Sequence, residues 1–242
     1  VELNSYPNFK TARFIMKTFI ISFTCLILVA ATFASGSEQK SHTALYEIKR
    51  DGKIGFINRA GKEVVPPRFD DVRGKFVEGM TRIQVNDLWG FMNNSGVVVI
   101  APVYEENDEF SEGLARVRSK KKYGFVDRTG KLNIQAEFDD AGNFAGGMAK
   151  VNINNRWGFI DTTGKKVVQP EYKDADDFRE GLGRVKASNN RWGYVNKSGT
   201  IVIKPVFESA DPFVEGLALV ELDGKKGYID RSGKFVWGPA KY

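Results

Sequence analysis

The residues best able to do chemistry are four acid pairs: Asp70-Asp71, Glu105-Glu106, Asp139-Asp140 and Asp176-Asp177. Paired carboxylates suit general acid/base work or calcium ligation. Three of the pairs follow an aromatic at the same place in a repeating pattern: Phe69, Tyr104 and Phe138. A feature copied from repeat to repeat reads as a turn or a solvated edge rather than a catalytic dyad. No Asp-rich loop has EF-hand spacing. The chain has one histidine, His42, and one cysteine, Cys25. A zinc site or a Cys/His or Ser/His nucleophile system therefore has no parts. The glycines recur around hairpins rather than ahead of a helix, so no phosphate-cradling loop is present. No cofactor, metal or catalytic residue is expected.

Two other sets recur. Arg82, Arg116, Lys150 and Arg184 hold one position in successive units. They are either a ligand-facing basic ladder for an anionic polymer or stems that cover apolar surface and meet the acids of the next turn. The Trp and Phe rows are either a stacking platform for sugar or peptide, or packing. Recurrence in every unit favours packing.

The element that positions all of these is a repeat. Gly55, Gly90, Gly124, Gly158, Gly193 and Gly227 open the tetrads GFIN, GFMN, GFVD, GFID, GYVN and GYID. A second glycine follows six residues later in each, at Gly61, Gly96, Gly130, Gly164, Gly199 and Gly233. Phe-x-Glu-Gly closes four units, at Phe76, Phe110, Phe178 and Phe213, and Phe144 begins a fifth that has lost the Glu. Self-similarity at this period marks a repeat array.

Each unit reads as three short strands, like LARVRS, RWGFID and KKVVQ. Between the last two lies Asp/Asn-x-Ser/Thr/Ala-Gly, a hairpin signature: the Asx side chain bonds its own backbone and the Gly takes a positive φ. Side chains alternate along a strand. Trp157 and Phe159 thus face one way, toward a neighbouring unit, and Gly158 marks a close approach from the next sheet. A Gly158→Val change is expected to destabilise the array by crowding that face. The fold expected is all-β: six tandem repeats of about 34 residues, each a three-stranded antiparallel sheet. An open β-superhelix is favoured over a closed six-bladed propeller. Units fall at about 44–79, 80–113, 114–147, 148–181, 182–216 and 217–242.

These units resemble the WG repeat family, also called KWG. The naming dipeptide stands at Trp89-Gly90, Trp157-Gly158 and Trp192-Gly193, with Tyr123-Gly124 in the third unit. The terminal units have Ile54-Gly55 and Lys226-Gly227, while Trp237-Gly238 falls on a third strand and is not part of the motif. The resemblance covers residues 44–242. It implies a bacterial β-rich module, often exported or joined to other domains, with no common activity.

Met16 to Ala34 read as a signal peptide: Lys17, an apolar run from Phe19 to Val29, then small residues before a cut. The alternative is a retained anchor, for which the run is short. Residues 1–15 read as an upstream extension and 35–43 as a polar linker. Net charge is +6 over 242 residues. Loss of residues 1–34 leaves 33 basic against 29 acidic residues, interspersed, which argues against nucleic acid as a partner. The resulting expectation is an exported, non-catalytic binding or scaffold module for a protein or glycan, in the periplasm, at the cell surface or secreted. Alternatives are a structural envelope spacer, or an enzyme with a carboxylate site where the repeat is broken, as at Glu137 and Asn133.

Overall fold

Every repeat turns on the same hairpin, and its geometry follows from the side chains at the turn. In the computed structural model, which describes residues 44–238, Asp161 accepts hydrogen bonds from the amides of Thr163 (2.9 Å) and Lys165 (3.1 Å) and from the Thr163 hydroxyl (2.6 Å). Gly164 supplies the left-handed residue, at φ +85°. Asp127 and Asp230 do the same, and Asn58, Asn93 and Asn196 make the same amide contacts. The signal-peptide segment, Cys25 and His42 lie outside the described residues.

The hydroxyls of Thr129, Thr163 and Ser232, followed by backbone amides, hold the Asp127, Asp161 and Asp230 carboxyls below the ordinary aspartate value. A carboxyl whose pKa is lower folded than unfolded stabilises above its unfolded pKa. That contribution is lost as pH falls through the folded value. The urea midpoint should therefore fall as pH drops from about 5 toward 2. Changing all three aspartates to asparagine should flatten that decline without removing the turns, since three other repeats already use Asn. An unchanged pH profile in the triple variant would contradict this account.

The other hairpin of four units is capped by the first acid after the preceding repeat aromatic. Asp70, Glu105, Asp139 and Glu208 accept from the turn amides of Asn86 (2.8 Å), Lys121 (3.2 Å), Asn154 (2.8 Å) and Gly224 (2.9 Å). The fifth unit has Lys173 there instead, donating to Asn190 at 2.9 Å in a turn one residue longer.

Six antiparallel sheets follow one another along the chain. The first has three strands, Tyr46–Arg50, Lys53–Ile57 and Glu63–Phe69. The other five have a fourth, outer strand that the sequence reading did not contain. It is Asp71–Val77 in the second sheet, then Glu106–Asn107, Asp140–Ala141, Asp174–Ala175 and Ser209–Ala210. Each of these five sheets thus begins upstream of the unit boundary read from sequence. Four of these strands have only two residues, too few to show an alternating pattern. One extra residue in the second sheet's outer strand is absorbed by a bulge at Gly74, at φ +80°. That insertion and the longer fifth-unit turn produce the two 35-residue glycine spacings.

The crowding at the motif glycine has a different source from the one expected. A Cβ on Gly158 would fall on the Val168 carbonyl oxygen and lie 2.7 Å from Gln169 C and Pro170 N. These are backbone atoms of the same sheet's third strand, not of the next sheet. Trp157 pairs with Tyr172 but Phe159 with Val168, so a bulge at residues 169–171 bows over the glycine. Gly55, Gly90, Gly124 and Gly193 sit under equivalent bulges. Pro67, Pro102, Pro170 and Pro205 lie in them, where a missing N–H costs the ladder nothing. The third sheet makes the same bulge with Ala136.

Five apolar clusters join consecutive sheets. Four carry a ring pair across the joint: Phe91–Phe110, Phe125–Phe144, Phe159–Phe178 and Tyr194–Phe213, with centroids 4.8–4.9 Å apart. Trp157 packs against the cluster that holds Phe159, Phe178, Val185 and Val195. Among the described residues no cluster joins the sixth sheet to the first. Tyr228 and Trp237, in the positions of the buried Tyr194 and Ile203, are 41% and 64% exposed.

The Phe-x-Glu-Gly acids add a second tie between sheets. Glu78 accepts from Gly113 N (3.1 Å), Glu112 from Gly146 N and Gly147 N (both 2.7 Å), and Glu180 from Gly216 N (3.0 Å). Gly146 occupies the acid's place at the end of the third unit and makes no such bond. Glu112→Ala should cost about 1 kcal/mol. Both residues share the strain of φ +55°, so the loss reads the bonds alone. Thermal melts of the two proteins measure it, and equal midpoints would assign these bonds no weight.

Candidate functional site

The four recurring cations are found at the joints between sheets, each reaching across to the next sheet's outer strand. Arg82 donates to the Asn107 carbonyl at 3.2 Å, with Asp108 and Glu109 carboxylates 3.8 Å away. Arg116 donates to the Ala141 carbonyl and pairs with Asp108 at 2.6 Å and Asp140 at 3.4 Å. Lys150 donates to the Ala175 carbonyl at 3.3 Å, with Asp177 at 3.8 Å. Arg184 reaches the Ala210 carbonyl and Asp176.

In three units the aromatic before the motif glycine lies under one of these cations. Arg116 covers Tyr123 (4.7 Å to the ring centre), Lys150 covers Trp157 (5.4 Å) and Arg184 covers Trp192 (4.2 Å). A guanidinium or ammonium over a ring face is attracted by the ring quadrupole. The ring faces are thus occupied by the protein's own cations. The acid pairs are occupied too: Asp70 by Lys53, Asp71 by Arg73, Glu105 and Glu106 by Arg118, Asp139 by Lys122, Asp140 by Arg116, and Asp176 and Asp177 by Lys150. Glu137 is exposed and pairs with Lys166 at 2.7 Å; Asn133 is exposed beside Asp127.

One joint departs from the pattern. Between the second and third sheets, Trp89 is covered by Arg73, at 4.7 Å, rather than by Arg82. Arg73 comes from the outer strand lengthened by the Gly74 bulge. Opposite stands Asn107, where the other outer strands carry Val72, Ala141, Ala175 and Ala210 in the same register. Together they line a cleft of about 240 Å³ with Arg82, Asp108, Arg116 and Tyr123. Asn107 is 9% exposed and donates through Nδ2 to the Gly90 carbonyl at 3.1 Å, across the joint. Among the described residues its Oδ1 has no partner, and neither has Arg82 Nε.

Glu106, at the cleft's edge, accepts from the Tyr123 hydroxyl at 2.7 Å and from Arg118. These bonds, the tyrosine's first, hold its carboxyl below the ordinary glutamate range; burial pushes the Tyr123 hydroxyl up. An ionised, paired carboxylate is a poor proton shuttle. The cleft's lining is dominated by charged and polar side chains. Sequence reasoning missed Asn107 and Arg73, because both sit on the outer strand it did not recognise. Among the described residues, no helix is long and apolar enough to cross a membrane.

Similar solved structures include a eukaryotic initiation factor at 12% identity and TM-score 0.48, matched over 80% of this chain and 62% of that one. BamB from Moraxella catarrhalis has 10% identity and TM-score 0.40, over 82% and 70%. Kluyveromyces lactis Hsv2 has 10% and 0.41, over 78% and 70%. No curated protein matches the chain. The model of the WG-containing repeat matches five times in succession, over residues 54–89, 89–123, 123–157, 157–191 and 192–225. Each match starts at the residue before a motif glycine, the point where aromatic, cation and bulge meet, and the chain belongs to the WG-containing repeat family.

Proposed function

We propose that this chain is an exported, non-catalytic binding module for a protein or glycan. The observation that carries the reading is the division of labour at the joints. The recurring cations, acids and aromatics hold sheet to sheet, and a polar cleft with unused hydrogen-bonding capacity stands where the repeat is broken. Export rests on the signal pattern of Met16 to Ala34. The ion pairing of the acid pairs with neighbouring lysines and arginines supports a non-catalytic reading. Purified protein, immobilised and probed with a glycan array and with extracellular protein fractions, should capture a reproducible ligand. Repeated failure to capture any would overturn it.

A further inference from the structure

We propose that the cleft between the second and third sheets binds one acidic sugar unit, a hexuronate, through Asn107, Arg82 and Arg73. The proposal rests on the binding-module reading and names the ligand class of its site.

Asn107 has a fixed orientation. Only an amide NH2 can bond the Gly90 carbonyl, so the other amide atom, Oδ1, must be an acceptor. It is buried and unpartnered. A buried acceptor without a donor costs free energy, and Ala at the equivalent position of three other sheets avoids that cost. Arg82 Nε in the same cleft is a buried donor without an acceptor. Arg184 Nε is also unpartnered, but its joint has Ala210 in place of the amide. Among the described residues, only this joint offers both an acceptor and a donor. Each exposes less than 1 Å² in the unliganded cleft, so a sugar hydroxyl that donates to Oδ1 and accepts from Nε enters only as the lining side chains shift.

Arg73 adds the charge requirement. Its Nε is held by Asp71 at 2.8 Å, and its side chain is largely exposed over Trp89. The two terminal nitrogens form no bond among the described residues. Their fork matches a carboxylate. Three guanidiniums against two carboxylates line the cleft, which disfavours an amine ligand. A phosphate dianion would leave Oδ1 without a donor. The volume is below the roughly 300–1,000 Å³ of drug-sized pockets, which limits the group to one ring.

Calorimetric titration of the full chain tests this with glucuronate, galacturonate, their neutral hexose counterparts, short oligouronates and a peptide with a free carboxyl terminus. A uronate, free or at an oligomer end, should bind about tenfold tighter than the matching neutral hexose. Asn107→Ala should weaken it about tenfold while the protein stays folded, because Ala already occupies this register elsewhere and only the bond to the Gly90 carbonyl is lost. Arg73→Ala should remove the preference for acid over neutral sugar. The proposal is overturned if no uronate binds at millimolar concentration, if only the peptide binds, if Asn107→Ala binds as the parent does, or if a structure shows an ordered water only between Oδ1 and Nε. Capture of another ligand with no effect of Asn107→Ala overturns this site and leaves the binding-module reading standing.

Discussion

Gly158→Ala should destabilise the array by about 3 kcal/mol, the upper part of what overpacking a dense site costs. The methyl group would fall on the Val168 carbonyl oxygen and against the backbone of Gln169 and Pro170. Backbone cannot swing aside as a side chain can. Relief requires flattening the bulge at residues 169–171, which breaks the Trp157–Tyr172 register that sets the aromatic under Lys150. Gly181→Ala supplies the control. That glycine sits at φ +83° with nothing within 4 Å of its missing Cβ, so alanine there meets strain alone, about 1–2 kcal/mol. Urea unfolding of both variants compares the two. Equal losses would show that the motif glycine is kept for something other than room. Gly124→Ala should behave as Gly158→Ala does, because the third sheet forms the same bulge around Ala136 without a proline.

This bulge shows where legibility in the sequence ended. The glycine period, the Asx-Gly turns and the faces of Trp157 and Phe159 are local properties, written in spacing and alternation, and could be read directly. What presses on Gly158 could not. A proline two residues past an apolar pair is compatible with a strand end as well as with a bow over the neighbouring strand. The outer strands were invisible for a related reason: a two-residue strand such as Glu106–Asn107 has no period. Its bonds to the Arg118 end of the next strand are long-range facts. The cations were visible as a ladder, but their partners, the Ala141, Ala175 and Ala210 carbonyls, are backbone atoms that no residue type announces. Asn107 is the instructive case. Once the outer strand is aligned, one amide stands out among alanines and a valine.

Phe159→Ala should have the largest effect on stability, about 3–5 kcal/mol, because it empties a fully buried ring position at a joint. Phe159 meets Phe178 of the next sheet edge to face, 4.8 Å between centres and 83° between planes. Phe178→Ala should cost a similar amount. The double variant should cost less than the sum by about 0.5–1.5 kcal/mol, the coupling of the ring pair itself. In an array where each sheet touches only its neighbours, a weak joint also divides cooperativity. The first four sheets and the last two should then unfold in separate steps, seen in urea by two transitions or in hydrogen exchange by two protection levels. A single transition displaced by less than about 1 kcal/mol would refute this placement of the joint's energy. Gly183 refines the point. A Cβ there would lie 2.6 Å from Phe178 Cε2 and 3.0 Å from Phe159 Cζ, both outer ring atoms. At the other joints the residue in this register is Ala115, Ala149 or Ala218, and the ring planes meet at 62°, 63° and 59° instead. The steeper angle at this joint is therefore the ring pair leaning into the space a glycine leaves. Gly183→Ala should tilt Phe178 back toward the common angle at a cost under about 1 kcal/mol, since a ring edge yields where backbone does not. The contrast with Gly158→Ala separates glycines that the backbone demands from one that only sets a ring angle.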